Sequence, residues 1–400
     1  MEIRIIYLTL FVLMFAGLYV GGKGIKKKDT ALILVGILVF TLNEGLRFGR
    51  WIDYNNYYFF YQQALQLNQS RFTELFFVGI CRTINALGGT YQVLILLMSF
   101  MHILGGVLFL RRYRSIAPYA LPLYAFFSYS YAENLVRWYF GFSFVLIGLY
   151  YLFSEDEQKK KHNILLYLLF SIIGMNIHFG MFIIFPFFLI IIHFKKPLLP
   201  PVATVSIYVA LVLFFRMEFM QPLIDVANLY GDILGGRFES YAENADRWLT
   251  AGALGLEKTN SYRGFLLTSI FIICVVVGYT IRPYFGTKYI YAYNSFIFGL
   301  LLNPIAERTE MLSRFDQLFI LFVFVIIGYI IKYVLFEIIK INMYVRIFIL
   351  IILIGHFAYT GYRSYSRKTD QLLYVWDKNG REYLDNMQVY FLDMYQKQYK

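Results

Sequence analysis

The sequence predicts an all-α, polytopic membrane protein, and three observations carry that prediction. Of its 400 residues, 59% are hydrophobic and only 16% are charged, against about 25% charged in soluble globular domains. Apolar runs recur along the whole chain, and most are long enough to cross a hydrocarbon core about 30 Å thick. The runs are continuous, as in IFILIILI at 347–354, where a membrane β-barrel shows short alternating segments. In lipid every backbone polar group needs a partner within the segment, which a helix supplies.

The first run, 4–22, is longer than the apolar core of a signal peptide. It has little positive charge before it and no clear small-residue cleavage site, so it is read as a retained helix. Lys23, Lys26, Lys27 and Lys28 follow it and place that loop in the cytoplasm. The second helix, 30–46, returns outward. Two apolar candidates, 72–88 and 91–110, then precede Arg111, Arg112 and Arg114. If only 91–110 crosses, this basic cluster is cytoplasmic. Segment 72–88 carries Glu74, Arg82 and Asn85 and is read as an interfacial or re-entrant helix on the outer face.

Helices at 116–131 and 135–153 bring the chain back to Lys159, Lys160 and Lys161. The stretch 163–194 has basic residues at both ends, Lys195 and Lys196 closing it, so one crossing does not fit. Two short helices meeting near 176–180 do, each about 22 Å long at 1.5 Å per residue. A helix at 201–217 leads to a polar outer segment, 218–262. Helices at 263–281, 286–303, 315–336 and 343–360 follow, with Arg282, Lys288, Lys332 and Lys340 in the cytoplasmic loops. The result is a single transmembrane domain over 1–360, with about twelve crossings. Its outer segments are 47–90 and 218–262, and 361–400 forms an extracytoplasmic tail.

Much of the excess behind the formal net charge of +12 sits in these cytoplasmic loops and does not call for nucleic acid as a partner. Cys81 and Cys274 lie in or beside apolar segments and fit neither a disulfide framework nor a metal site. No HExxH, no paired DxD on an outer loop and no GxxxxGK[ST] occurs, so no metal, cofactor or ATP-driven transport is expected.

The threading leaves a group of charges on the outer side, where the loop rule does not ask for arginine. Arg47, Arg50 and Asp53 follow the second helix. Arg137 opens the helix at 135–153, and His178 sits at the hairpin tip. Arg237 and Tyr241 stand in the long outer segment, and Arg308 and Arg314 precede the helix at 315–336. A charge within a membrane is costly and is usually paired or functional. Arginine stays protonated and offers a planar fork of donors suited to phosphate. Arginines gathered from distant segments suggest a lipid-linked pyrophosphate as ligand.

Blander alternatives stand beside each residue. Arg137 pairs with Glu133 at i, i+4. His178 is a satisfied core histidine, Arg47 and Arg50 anchor the interface, Arg237 is a loop charge, and Arg314 snorkels from a helix end. His102, His162, His193 and His356 read as structural or interfacial. The abundant Tyr and Phe read as mostly lipid-facing or interfacial, and tyrosines in YNNYYFFY at 54–61 are candidates for stacking on sugars.

Four elements carry a family resemblance: RFGRWIDYNNYY at 47–58, NLVRWYFGFSFVLIGLYYL at 134–152, NIHFGMFIIFP at 176–186 and SRFDQLF at 313–319. In these the sequence resembles the EpsG-like polysaccharide polymerases, related to the Wzy-type O-antigen polymerases. It departs from the family's small-residue pattern after the helix-opening arginine, with WYFGF at 138–142.

The resemblance implies a GT-C-like membrane glycosyltransferase in the bacterial inner membrane, facing the exterior. It would join undecaprenyl pyrophosphate-linked repeat units, with a chain-length regulator as a candidate partner. Arg137, Arg237 and Arg314 would clamp the pyrophosphate and His178 would donate to it. Arg47, Arg50, Tyr241 and Arg308 would add binding contacts, and Asp53 would orient Arg50 or act as general base. The rival functions are an O-antigen ligase, a membrane acyltransferase using His178, and a non-enzymatic flippase or transporter.

Overall fold

The computed structural model describes residues 2–47, 52–65, 74–215, 262–306, 310–336, 339 and 342–368. Among these it is all-helical, with no strand. Among the described residues five stretches are long and apolar enough to cross a membrane: Leu8–Lys27, Tyr91–Tyr113, Leu266–Tyr284, Ser313–Leu335 and Met343–Tyr362. The chain divides into two units, one of 1–187 with the described part of 358–400, the other of 188–357.

The first unit holds α1 (Glu2–Lys27), α2 (Thr30–Gly45), α3 (Ile52–Leu65) and α4 (Leu75–Ala86), then α5 (Tyr91–Leu110), α6 (Ala117–Asn134), α7 (Val136–Leu152) and α8 (Lys160–Ile177). Helix α9 (Met181–Ile191) begins in it and ends in the second unit. The turn from α1 to α2 is capped by Asp29, whose carboxylate accepts from the amides of Ala31 and Leu32 at 3.0 and 3.2 Å. This satisfies amides that the first turn of α2 leaves without a helical partner.

Contacts within this unit show which helix ends lie together. Gly22, near the end of α1, packs against Ala117 and Pro118 at the start of α6. Arg112, just past α5, donates to Tyr150 O near the end of α7 from Nε at 3.0 Å and Nη2 at 2.6 Å. The basic clusters at Lys23–Lys28, Arg111–Arg114 and Lys159–Lys161 therefore share one end. At the other end Gln92, opening α5, donates to Gly45 O and, at 3.2 Å, to Arg47 O, just after α2. A single crossing by α5 between Arg47 and Arg111 gives this arrangement.

Helices α3 and α4 stay at that second end. They have 14 and 12 residues, about 21 and 18 Å at 1.5 Å per residue, too short to span. The Tyr54 hydroxyl donates to Gln92 Oε1 at 3.0 Å, and the Tyr91 hydroxyl to Tyr54 O at 2.8 Å. The Tyr61 hydroxyl donates to Gly89 O, and Arg82 Nε to Ala64 O at 2.9 Å.

Helices α7 and α8 run antiparallel at close range. A Cβ on Gly174 would stand 2.7 Å from Gly141 O, so this crossing point requires the smallest residue, and a Cβ on Gly141 would be tight at 3.0 Å from Gly174 O. The chain breaks after α8 and resumes as α9, at the place expected from the basic residues flanking 163–194.

The second unit holds α10 (Pro201–Phe214), α11 (Tyr262–Ile281), α12 (Thr287–Ala306), α13 (Glu310–Ile320), α14 (Val323–Tyr329), a π-helical turn (Ile330–Leu335) and most of α15 (Met343–Lys368). The Asn294 side chain fixes the loop before α10. It accepts from the Leu198 amide at 3.0 Å and donates to Lys196 O at 3.0 Å and Phe194 O at 3.3 Å.

The tyrosines correct one expectation. Tyr54, Tyr113, Tyr124, Tyr139, Tyr167, Tyr289 and Tyr293 are among the largest fully buried side chains, not lipid-facing. Helix carbonyls accept a second bond, so a buried phenol finds a partner without leaving the core. The hydroxyls of Tyr124, Tyr167, Tyr289 and Tyr293 donate in this way to His102 O, Phe185 O, Gly278 O and Val275 O. The strongly exposed apolar side chains are instead such residues as Leu165, Val202, Leu213, Phe214 and Ile351.

Candidate functional site

Arg137 is the second residue of α7 and is 7% exposed. A guanidinium at a helix N-terminus faces the positive end of the dipole, so a local anion must hold it. That anion is Glu74. Its Oε1 lies 2.8 Å from Arg137 Nη2, with both side chains buried. Phe77, on the same helix as Glu74, lays its ring under the guanidinium at 4.9 Å. Leu135 ends α6 and opens α7 with φ −104° and ψ 47°. Glu133 and Arg137 therefore stand on either side of the junction between α6 and α7. Glu133 is itself fully buried.

The same Glu74 Oε1 also accepts from the Phe179 amide at 3.4 Å. Phe179 stands in the break between α8 and α9, next to His178. One carboxylate oxygen thus ties α4, α7 and the break together. His178 closes α8 in an extended conformation, φ −146° and ψ 113°. Its Nδ1 accepts from the Gly180 amide at 3.1 Å. The neutral ring therefore carries its proton on Nε2 and can donate from there. The ring stands edge-on to Trp138, with centroids 4.7 Å apart.

Arg47 lies at the same end of the unit, just past α2, and is 2% exposed. Its Nη1 pairs with Glu44 at 3.3 Å. Its Nε and Nη2 have no hydrogen-bond partner among the described residues. Two buried donors of one guanidinium are left to be satisfied, at a cost of a few kcal/mol if nothing binds.

A core of Tyr54, Tyr57, Tyr61, Phe77, Cys81, Tyr91 and Phe140 adjoins both arginines, Tyr54 near Arg47 and Phe77 against Arg137. Tyr54, Tyr57 and Tyr61 are buried in it, which removes them as platforms for sugars. Their spacing along α3 turns one face inward, so the aromatic run packs the helix. Burial raises the Tyr54 hydroxyl above its ordinary value, against the pull of Arg47. The Cys81 thiol, also buried, is pushed up to about 12, with Arg137 opposing the shift.

The structure therefore brings Arg137 and His178 into one constellation, with Arg47 at the same end. Asp53 lies in the first turn of α3. Arg50, Arg237, Tyr241 and Arg308 lie outside the described residues. Arg314 belongs to the second unit. It sits inside α13, which begins at Glu310, so it does not precede the helix as the hydropathy pattern suggested. Nearby Asp316 is 1% exposed and accepts from Asn303 Nδ2 at 2.8 Å. Among the described residues no three His, Cys, Asp or Glu side chains gather as metal ligands.

Glu74 and Asp316 are the residues that sequence reasoning passed over. Each is a carboxylate beside an apolar run, the signal that ordinarily marks a paired or functional charge in a membrane protein.

Comparison with curated proteins gives no match. Comparison with solved structures also gives none. The sequence pattern of the EpsG family matches residues 30–373, most of the chain and all four elements with the resemblance noted above. On that match the chain belongs to the EpsG family, whose members suggest a polysaccharide-polymerase type of function.

Proposed function

We propose that this protein joins lipid-linked oligosaccharide repeat units into a surface polysaccharide. The donor is a growing glycan on undecaprenyl pyrophosphate and the acceptor a single lipid-linked unit. The acceptor hydroxyl oxygen bonds to the anomeric carbon of the donor. The bond from that carbon to the pyrophosphate oxygen breaks, and undecaprenyl pyrophosphate leaves. The reading includes a GT-C-like fold of about twelve crossings and an active site facing the exterior of the inner membrane.

The observation that carries this reading is a pair of buried arginines, Arg47 and Arg137, at the end of the first unit opposite its basic clusters. A departing pyrophosphate needs its developing charge stabilised. In this reading the arginines do so without a metal. Arg137 contacts the pyrophosphate, joined by Arg237 and Arg314, and Arg47, Arg50, Tyr241 and Arg308 extend the clamp. His178 donates from Nε2 to the leaving oxygen. Asp53 takes the acceptor proton, or it orients Arg50 and the proton passes to the departing pyrophosphate.

The test is polymer assembly by the purified protein from a lipid-linked repeat unit. Lengthened lipid-linked chains support polymerisation, whereas transfer to a different acceptor would mark a ligase. An Arg137→Ala/His178→Ala variant, correctly inserted, is expected to lose assembly. Assembly at the wild-type rate would overturn the site.

A further inference from the structure

Glu74 raises a problem for the reading just given, and the problem points to a mechanism. Arg137 is assigned to a phosphate, yet its guanidinium is buried against a carboxylate at 2.8 Å. A carboxylate and a phosphate present similar acceptor oxygens to an arginine fork. Glu74 Oε1 receives two donors at once, Arg137 Nη2 and the Phe179 amide. Two donors from separate segments meeting at one oxygen form an oxyanion position. The protein's own side chain fills it.

The carboxylate also has another place to go. Glu74 is the N-cap residue of α4, but its side chain makes no capping bond to that helix. Amides in the first turn of α4 have no helical partner of their own. An N-cap side chain ordinarily accepts from the amide two or three residues on, here Phe76 or Phe77. Rotation of one side chain would exchange Arg137 and Phe179 for these amides and would leave the oxyanion position empty.

We propose that Glu74 is a placeholder for a phosphate oxygen. It holds Arg137 and the α8–α9 break in their working arrangement while the site is empty. It moves to the N-terminus of α4 when a pyrophosphate takes its position. The proposal rests on the assignment of pyrophosphate to Arg137 and adds how access to that arginine is controlled. It makes Glu74 an intramolecular competitor. A plain positioning partner would stay on Arg137 throughout.

The two roles predict opposite effects of weakening the contact. The experiment measures binding of farnesyl pyrophosphate, a short polyprenyl pyrophosphate, to the purified full-length protein. Glu74→Gln keeps a hydrogen bond to Arg137 but gives up the charge. Glu74→Asp keeps the charge, caps α4 better and reaches less far. Each variant is expected to bind about tenfold tighter than wild type, as when a site open about one-tenth of the time is opened fully.

Unchanged or weaker binding by the folded variants would overturn the placeholder and leave Glu74 as a positioning residue. If one variant fails to fold, the other carries the comparison. A Glu74→Gln/Arg137→Gln variant separates this from the underlying reading. Its loss of binding supports Arg137 as the pyrophosphate ligand. If it binds as well as Glu74→Gln, or if no protein binds the probe, the assignment to Arg137 fails and the placeholder fails with it.

Discussion

His178 and Trp138 meet edge to face, 4.7 Å between ring centroids, with Gly180 filling the angle between them. A Cβ at Gly180 would collide with the Trp138 ring and would stand 3.2 Å from His178 Nδ1. The backbone bond from Gly180 to that nitrogen then has to shift. Gly180→Ala is therefore expected to insert normally and to slow polymer assembly about a hundredfold, the effect of a catalytic group displaced by about an ångström. Assembly rate and Trp fluorescence read the two consequences. A wild-type rate with altered fluorescence would remove His178 from the chemistry.

The Arg137–Glu74 pair makes a prediction about stability. Removing one partner of a buried pair strands a charge, at about 3–5 kcal/mol. Arg137→Ala and Glu74→Ala are each expected to lose that much in denaturant unfolding. The double variant strands neither charge, so its loss should fall short of the sum by about 0.5–3 kcal/mol. Additive losses would mean that the 2.8 Å contact carries no coupling.

Cys81 gives a prediction in pH. Its thiol is buried, and its pKa rises from 9.0 to about 12 through burial. The thiolate is the reactive form, so native protein at neutral pH should resist maleimide and should label once unfolded. The linkage has a fixed sign. A pKa raised on folding stabilises the fold below the unfolded value, and that contribution is lost as pH climbs from about 9 towards about 12. Cys81→Ala should therefore show a shallower loss of stability across that window than wild type. Parallel unfolding curves would count against the burial effect.

Much of the fold was legible because a membrane simplifies the code. Continuous apolar runs have to be helices, and lysine clusters mark their ends. That reasoning places a break near 176–180, where α8 ends at Ile177, and reads 72–88 as a segment that does not cross, in keeping with the 12 residues of α4. It did not reach the tyrosines. A phenol bonded to a helix carbonyl and one at a lipid interface look the same in sequence, and Tyr124 and Tyr293 are the former. Arg137 was found because a lone arginine opening an apolar helix is conspicuous. Its contact with Glu74 is not legible, because 63 positions of sequence separate the two residues. Only the long-range approach of α4 shows that Glu74 holds it.

Orientation is the premise beneath the functional reading, and it has a direct test. The basic clusters and the arginine site lie at opposite ends of the first unit, so they should meet opposite sides of the membrane. Leu87 is 83% exposed in the turn between α4 and α5. Lys27 and Lys160 are exposed at the basic end. In a Cys81→Ala/Cys274→Ala background, Leu87→Cys should react with an impermeant maleimide on intact cells. Lys27→Cys and Lys160→Cys should react only after the membrane is opened. The reverse pattern would turn the site towards the cytoplasm, where a surface-polymer reaction does not belong. Labelling of all three from outside would break the threading itself, because α2, α5 and α7 would no longer separate Arg47 and Arg137 from the lysines.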